Sequence, residues 1–525
     1  MVRVNQSLPL EPADDNREGG LAARQVLLAW LAAVLVGVAT FAVGAATDLS
    51  LGDENYHFRK ASHFLRYGER LTYDPVYGPQ VPPGIPYYDG PAWHMGLAWL
   101  WKLTGRSAWA AQAYQAAWSV LLVGSAFMAG SVLGGRRAGW WSFLTAATMP
   151  AVLFFSVVLY TETAMLALMM LGLWLSFRRW FLVGGIAFGL AFLIKPTACV
   201  LLPAMLLAAV LPTETPWRKR ALAALLFCVG TALVVGPDLW WRQQHLGTIG
   251  VVYLSSSGGD AGVPEAVRQM LLEKGPEAFY WASSILNPLD VLMHLGVIVP
   301  LGLVLSLVWL RRPAAGRRFL WLALAVFLAV EAYQIAGAGI LDVRYTMGAF
   351  FLPILLAGPA LADWTGKRRW LTWALIAVAA LQASAVMEKV VSARRIPAEE
   401  LQVIRRIADL PVRHEPGFVV CTDSRVATYS GRPILWSAIN PGPFFFKWSP
   451  DQQWFLLDHY GAEYIVIPRA RIYDDSLIKH TGGYPKSWVD AAARLPYVEP
   501  TPVIDSPSLL VYAVKPKPPQ AAVPR

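Results

Sequence analysis

Long apolar runs separated by short polar connections dominate the chain before about residue 394. A helix needs about 20 apolar residues to cross a bilayer, so the runs predict a polytopic α-helical membrane protein with about eleven spans. Between 162 and 211 the runs are shorter and predict three short helices, because Arg178-Arg179 and Lys195-Pro196 interrupt them. The runs are 25–46, 111–133, 138–157, 162–177, 181–194, 197–211, 221–237, 289–310, 319–337, 345–362 and 370–388.

Charged residues alternate between successive connections. Basic residues occupy every second connection, at 136–137, 178–179, 218–220, 311–318 and 367–369. The other connections hold Asp53, Glu54, Asp74, Asp89, Glu162, Asp238, Asp260 and Asp342. Lys and Arg concentrate on the cytoplasmic side of membrane proteins, so the tail 1–24 is predicted to be cytoplasmic and the acidic connections to lie outside. The alternation is kept only if 91–105 is a helix on the outer surface rather than a span.

The predicted organisation has a membrane domain at 25–393 with large outer connections at 47–112 and 238–287. The stretch 394–516 has no run that spans a bilayer. Its helix-like segments at 399–410 and 451–460 alternate with short apolar strands at 418–422, 463–468 and 508–514. This alternation predicts a small extracytoplasmic α/β domain with a parallel or mixed sheet, followed by a disordered tail at 517–525.

Composition agrees with a membrane protein and excludes several other classes. Of 525 residues, 56% are apolar and 15% are charged, whereas soluble domains have about 25% charged residues. The net charge of +10 resides largely in doublets that membrane topology explains, so no nucleic-acid partner is predicted. Three cysteines provide no disulfide framework.

Candidate chemistry begins just after the first span. The string Asp53-Glu54-Asn55-Tyr56-His57 places two acids and an imidazole at the predicted outer face, and Asp74, Asp89 and His94 follow in the same connection. A solvated turn after a helix explains the first string equally well. The tyrosines and Trp93 around Asp89 fit an aromatic belt at the membrane interface.

Further ionisable residues lie at the same predicted face. Glu162 is in a tight turn, Lys195 precedes a proline, and Arg344-Tyr345 follow Asp342 at the start of a span. Taken singly, these are explained by an acid at a helix start, a snorkelling lysine and a structural ion pair. Ionisable groups at these depths are costly and usually functional, so their recurrence at one face favours an active site.

From about residue 27 to 353 the chain resembles the GT-C superfamily of membrane glycosyltransferases. The branch it resembles includes protein O-mannosyltransferases and lipid A aminoarabinose transferases. The matching features are the Asp53-Glu54 pair after the first span, the 90–105 helix, the 134–139 glycine-arginine turn, the Tyr160-Thr161-Glu162 turn, 185–195, and Arg344-Tyr345 with Pro353. The first loop is also similar to that of glucosyltransferases that use dolichyl-phosphate glucose. At 89–91 the family often has an acidic residue, a lysine and a proline, but this chain has Asp89-Gly90-Pro91.

The resemblance implies a hexosyl or pentosyl transferase in the cell (inner) membrane. It is expected to take the sugar from a polyprenyl phosphate, undecaprenyl or similar, on the extracytoplasmic side. The acceptor is a lipid, a glycan or a protein, and membrane lipids surround the enzyme. Asp53 is the predicted base, and Glu54 or Glu162 is expected to orient the acceptor or shape its charge. Lys195, Arg344 and Arg59 are predicted to bind the donor phosphate. His57, Asp74, Asp89, His94 and Tyr345 are expected to line the substrate site.

Other readings stay open on the sequence alone. The spacing of Asp53, Glu54, Asp89 and His94 matches no metal-binding motif, so no resident metal is predicted, with a divalent cation among them as the alternative. A lipid or glycan flippase would line a midplane path with charges, often in two related halves. A receptor or assembly protein would not need acids and cations that converge at one face.

Overall fold

The computed structural model describes residues 15–50, 52–68, 90–203, 205–206, 216–246, 295–310, 325, 350–366, 368–414, 417–421, 423–434, 449–459, 461–473 and 484–516. The helices before residue 394 are α1 (Asp15–Ala45), α2 (Gly52–Tyr67), α3 (Pro91–Thr104), α4 (Ala108–Thr148), α5 (Pro150–Val157), α6 (Glu162–Phe177), α7 (Phe181–Ile194), α8 (Trp217–Leu246), α9 (Ile298–Leu310), α10 (Phe351–Thr365) and α11 (Arg369–Ala393). A 3-10 helix, Pro196–Leu201, follows α7.

Several of these helices are long and apolar enough to cross a membrane. In the described part, this holds for Ala23–Ala45, Ala108–Thr148, Trp217–His245 and Arg369–Ala393, and for α5 with α6 if the bent pair counts as one span. Shorter apolar helices are Phe181–Ile194, Ile298–Leu307 and Phe351–Thr365. The total of eleven spans stays a prediction, because most of the run 319–337 lies outside the described residues.

The surface of α1 shows why the bundle needs an apolar solvent. Leu27, Leu31 and Leu35 are 60%, 53% and 70% exposed, while Ala29 and Ala33 are buried in the bundle. The exposed leucines recur every fourth residue and therefore form one stripe along the helix. A stripe of this kind is stable against lipid chains and costly in water.

A glycine break divides the long helix α4. Gly135 has φ +74° and ψ −177°, a conformation that only glycine adopts readily. The break falls between the predicted runs 111–133 and 138–157, so α4 contains two predicted segments.

Three sequence-based boundaries were wrong. The run 138–157 is broken at Met149, because Pro150 lacks an N–H group and disfavours a helical residue before it. The run 197–211 begins inside the 3-10 helix rather than an α-helix. The connection predicted to begin at 238 starts later, because α8 continues to Leu246 and Arg242 pairs with Asp238 at 2.7 Å one turn on.

The chain after residue 394 forms a mixed sheet with covering helices. The elements are α12 (Ala398–Arg406), β1 (Phe418–Val420), α13 (Ser424–Ser430), α14 (Pro450–His459), β2 (Ala462–Pro468), β3 (Ile472–Tyr473), β4 (Tyr484–Pro485), α15 (Lys486–Ala491), β5 (Ile504–Asp505) and β6 (Leu509–Ala513). The sheet order is β1-β2-β6-β5, with β1 parallel to β2 and the other neighbours antiparallel. The helices and strands predicted in this part overlap α12, β1, α14, β2 and β6.

Successive residues of β2 serve opposite faces of this sheet. Ile465 and Ile467 pack in a cluster with Trp488, whereas Tyr464 and Val466 pack in the other cluster. Both faces are buried, as expected for a strand whose side chains alternate between two covered sides.

Candidate active site

Helix α2 is built differently from the solvated turn considered as an alternative. Glu54, Asn55, Tyr56, His57 and Lys60 are all buried, with exposures of 0–5%. Buried polar groups are costly unless they are paired, so a helix with this many of them must be held by specific partners. Those partners come from α3, the turn between α5 and α6, and the chain after α11.

Glu54 is held on two sides. Its Oε1 lies 2.8 Å from Nη2 of Arg394 and accepts the Leu159 backbone N–H at 3.0 Å. Arg394 also donates to Thr47 Oγ1 at 2.8 Å. The Glu54 carboxylate thus joins α2 to the end of α11 and to the turn before α6.

The turn at 158–161 brings a second acid to this place. Helices α5 and α6 meet there at 117°, and Glu162 begins α6 with its side chain buried. Lys195, one residue beyond α7, donates from Nζ to Glu162 Oε1. The Glu162 side chain is 2% exposed and the Lys195 side chain is 11% exposed. Pro196 follows Lys195, so α7 ends where the lysine faces Glu162.

A histidine pair connects α2 with α3. His57 Nδ1 lies 2.8 Å from His94 Nε2, and His94 Nδ1 lies 3.3 Å from Gly90 O. The His57 ring contacts the Tyr160 ring at a centroid distance of 5.8 Å. Burial, with Lys60 and His57 nearby, holds the pKa of His94 well below its ordinary value. A neutral His94 that donates to Gly90 accepts a hydrogen bond from His57.

The start of α3 is fixed against the end of α7. A Cβ atom on Gly90 would lie 1.7 Å from the Leu193 carbonyl oxygen, so only glycine fits there. This contact places the first turn of α3 beside the segment that leads to Lys195. Helix α3 has 14 residues and is therefore about 21 Å long, too short to span. Trp99 and Leu103 are 62% and 86% exposed.

The domain after α11 packs directly on α2. Tyr56 is buried in the cluster that contains Ile404, Val419 and Val426, and its hydroxyl accepts from Lys60 Nζ at 2.9 Å. Asn55 Nδ2 donates to Ser424 Oγ at 3.4 Å. Since α2 contributes to the core of this domain, the domain and the α2 site are one structural unit.

The predicted site residues fall into two groups. The structure brings together Glu54, His57, His94, Glu162 and Lys195. Arg59 lies on the same helix, and its Nη2 donates to Gly431 O at 3.1 Å. Asp53 is in the first turn of α2, but its side chain is outside the described residues, as are Asp74, Asp89, Arg344 and Tyr345. Among the described residues, no group of three or more His, Cys, Asp or Glu is placed to hold a metal ion.

Arg394 was missed as a functional candidate. In the sequence, Arg394 marks only the boundary of the last domain. Its side chain is fully buried, which is rare for arginine outside an ion pair. The available signal was a basic residue at the predicted outer end of the last span, where the alternation of charges calls for an acidic connection.

Comparisons with known proteins agree on one fold. Residues 90–241 match the family described as dolichyl-phosphate-mannose-protein mannosyltransferase. The crystal structure of apo ArnT from Cupriavidus metallidurans matches with a TM-score of 0.63 and 14% identity, covering 94% of this chain and 98% of that one. The chain has the GT-C fold. The resemblance inferred from the sequence is therefore confirmed.

Two more solved structures share this GT-C fold. ArnT from Cupriavidus metallidurans bound to undecaprenyl phosphate matches with a TM-score of 0.50 and 14% identity, covering 93% of this chain and 97% of that chain. Archaeal oligosaccharyltransferase AglB from Archaeoglobus fulgidus, in complex with an inhibitory peptide and a dolichol-phosphate, matches with a TM-score of 0.57 and 12% identity. That match covers 83% of this chain and 69% of AglB. No curated protein sequence gives a significant match.

Proposed function

We propose that this chain is a glycosyltransferase that moves a sugar from a polyprenyl-phosphate donor to an acceptor at the extracytoplasmic face of the cell (inner) membrane. The observation that carries the proposal is the contact between Glu54 Oε1 and Leu159 N at 3.0 Å. It joins the helix that contains Asp53 to the turn that leads into Glu162, whose carboxylate contacts Lys195. Two acidic segments far apart in sequence therefore meet in one place within a GT-C fold.

The ligands of the structural relatives support the donor class. One ArnT structure holds undecaprenyl phosphate, and the AglB structure holds a dolichol-phosphate. The matching sequence family is described by a dolichyl-phosphate sugar. The AglB structure also contains a peptide, so a protein acceptor is one of the options beside a lipid or a glycan. The sugar is a hexose or a pentose.

The position of the site suits a lipid-linked donor. A polyprenyl chain stays in the bilayer and holds its phosphate near the membrane surface. The reacting groups must therefore lie at the ends of spans rather than at their centres. Glu162 begins α6, Lys195 follows α7, and α2 comes after α1. All three segments place charged groups at helix ends.

The proposed reaction is a direct displacement. Asp53 accepts the proton of the acceptor hydroxyl as its oxygen attacks the anomeric carbon. The bond between that carbon and the phosphate oxygen breaks, and the lipid phosphate leaves with the electron pair. Because the acceptor oxygen attacks from the side opposite the leaving group, the configuration at the anomeric carbon is inverted. A positioned base contributes roughly 10²–10⁴-fold to the rate of such a step.

The leaving phosphate requires fixed cations. Lys195 and Arg59 are the candidates that the structure describes, and Arg344 is a further one. Preorganised charges of this kind act strongly where water is excluded, and Lys195 is 9% exposed. Glu162 balances the lysine charge through its contact with Nζ. A donor phosphate beside Lys195 would take the place of that partner and leave Glu162 available to the acceptor.

Glu54 has a different proposed role from Asp53. Its carboxylate faces Arg394 and the Leu159 N–H, so it acts as a positioning residue that fixes α2 beside the 158–161 turn. The histidine pair fixes the same helix against α3. Asp53 then acts from a helix whose orientation is set on three sides.

The test is a transfer assay with the full-length chain in lipid. A panel of radiolabelled polyprenyl-phosphate hexoses and pentoses is supplied, with membrane extract as acceptor. Asp53→Asn is compared with Asp409→Asn, which alters an exposed acid of the last domain. The proposal predicts transfer from at least one donor by the wild type and by Asp409→Asn, and little by Asp53→Asn. A folded wild-type protein that neither transfers sugar nor binds any donor would contradict it, and so would donor movement across the bilayer without cleavage, which indicates a flippase.

A further inference from the structure

A cavity lies at the opposite end of the bundle from the candidate active site. It has a volume of ≈ 610 Å³ and lies between the second half of α4 and the connection from α10 to α11. Helix α4 from 136 onward, with α5, extends from this cavity to the 158–161 turn, a distance of about 30 Å along helix. The cavity is thus separate from Glu162 and Lys195, and the inference drawn from it does not rest on the proposed function.

The lining of the cavity carries positive charge at one end. Arg137 and Arg369 line it, and both are exposed. Arg137 Nη1 donates to Gly366 O at 3.3 Å, which holds the guanidinium at the α10–α11 connection. A guanidinium has several N–H donors, so others remain for an anion. The described residues that line the cavity include no acid.

The rest of the lining is apolar and aromatic. Trp140, Trp141, Trp373 and Ile376 form a wall, and Trp373 is 70% exposed at its outer edge. Trp141 Nε1 donates to Thr365 Oγ1 at 3.0 Å, which fixes that ring between α4 and α10. Tryptophans concentrate at the membrane interface, where an apolar ring and a polar edge are both satisfied.

The two arginines and the tryptophan wall together indicate that the ligand of this cavity is an amphiphile. An inorganic anion would use the arginines and leave the tryptophan wall uncovered, whereas a neutral chain would leave the arginines unmatched. Basic pockets between membrane helices on the cytoplasmic side bind anionic headgroups. The arginines belong to two of the basic connections that the positive-inside rule assigns to that side.

We propose that this cavity binds an anionic glycerophospholipid of the bilayer. The phosphate lies between Arg137 and Arg369, and an acyl chain lies along Trp140, Trp373 and Ile376. The lipid would connect the glycine break of α4 to the start of α11. Bound lipid therefore stabilises the packing of these helices by an amount that grows with the logarithm of its concentration relative to Kd.

Native mass spectrometry of the full-length protein in detergent measures this binding. Phosphatidylglycerol and phosphatidylcholine with identical acyl chains are titrated separately. Each basic residue near an anionic lipid contributes about fivefold in affinity, so Arg137→Gln with Arg369→Gln should weaken phosphatidylglycerol binding about 25-fold. Arg178→Gln with Lys219→Gln removes the same charge from exposed positions outside the cavity and should leave that binding unchanged. Arg137→Lys with Arg369→Lys should retain most of it.

The results that overturn the proposal are distinct. Equal binding of phosphatidylglycerol and phosphatidylcholine would show that the headgroup charge does not contribute to binding. Unchanged phosphatidylglycerol binding in the Arg137→Gln, Arg369→Gln variant would show that the lipid binds outside this cavity. Displacement of phosphatidylglycerol by millimolar inorganic phosphate identifies free phosphate as the ligand. Displacement by an equal amount of undecaprenyl phosphate identifies a polyprenyl lipid instead.

Discussion

Glu54 and Arg394, 340 positions apart in sequence, form an ion pair in which both side chains are 0% exposed. The pair connects α2, the helix that follows the first span, with Arg394, the residue directly after α11. Because a buried charge is costly without its partner, this contact fixes the relative position of α1, α2 and α11. It also fixes the place where the domain after residue 394 leaves the membrane region.

Glu54→Gln should lower the free energy of unfolding by about 3–5 kcal/mol, since it leaves Arg394 buried and uncompensated. The double variant Glu54→Leu, Arg394→Leu removes both charges and should recover much of that loss. Denaturant unfolding in detergent micelles measures both, with Glu499→Gln, at an exposed position, as control. If the double variant lost as much stability as its two single variants combined, the pair would not be coupled.

Glu162→Asp should keep measurable transfer activity, because it preserves the charge facing Lys195. Lys195→Met should lower kcat by about 10²–10³-fold, since a fixed cation at the leaving group is lost. Steady-state kinetics over a range of donor concentrations separates kcat from KM. Lys219→Met, at an exposed position, serves as control. A Lys195→Met enzyme changed only in KM would assign the lysine to ground-state binding.

Acid should destabilise the protein through His94. Its pKa is held well below the ordinary value because of burial, with Lys60 and His57 adding to the effect. The unfolded chain gains a proton below about pH 6.5 while folded His94 stays neutral, so stability is present above that pH and falls as pH decreases, by at most about 1.4 kcal/mol per unit. His94→Gln should reduce this fall in unfolding experiments from pH 7.5 to 5.5. An unchanged slope, equal to that of the exposed-site control His414→Gln, would refute the assignment.

Tyr56→Ala should loosen the contact between α2 and the last domain. The side chain is buried in the cluster with Ile404, Val419 and Val426, and removing a large buried ring costs about 3–5 kcal/mol. Tyr56→Phe keeps the ring and removes the hydroxyl that accepts from the buried Lys60, a loss of about 1–3 kcal/mol. Limited proteolysis of the domain after residue 394 should accelerate in Tyr56→Ala and remain near wild type in Tyr56→Phe. Equal protection of both variants would mean that α2 does not hold the domain.

The apolar pattern predicts the helices that consist of one uninterrupted run. Helices α6 and α7 begin and end where their runs do, because Arg178-Arg179 and Lys195-Pro196 stop the apolar sequence. The pattern fails where a helix buries polar residues. Helix α2 reads as a loop because Glu54, Asn55, His57 and Lys60 look solvated, yet tertiary partners neutralise them.

The sequence indicated several residues that the structure places side by side, but it did not show which of them pair. Glu162 and Lys195 were proposed separately, and the structure pairs them. Arg394 gave no local signal of pairing, since its partner is far away in sequence. Asp238 was placed in a loop because it is acidic, but Arg242 four residues on neutralises it within α8. Periodicity does not encode such long-range or same-face pairing.

The most direct test of the central claim is release of free polyprenyl phosphate from a polyprenyl-phosphate sugar, measured with purified full-length protein in lipid and an acceptor extract. Wild type and Asp409→Asn should release lipid phosphate in proportion to sugar transferred. Asp53→Asn should bind donor with wild-type affinity and release about 10²–10⁴-fold less, because the acceptor hydroxyl keeps its proton. Wild-type release by Asp53→Asn would contradict the account, since the base would then be a residue other than Asp53.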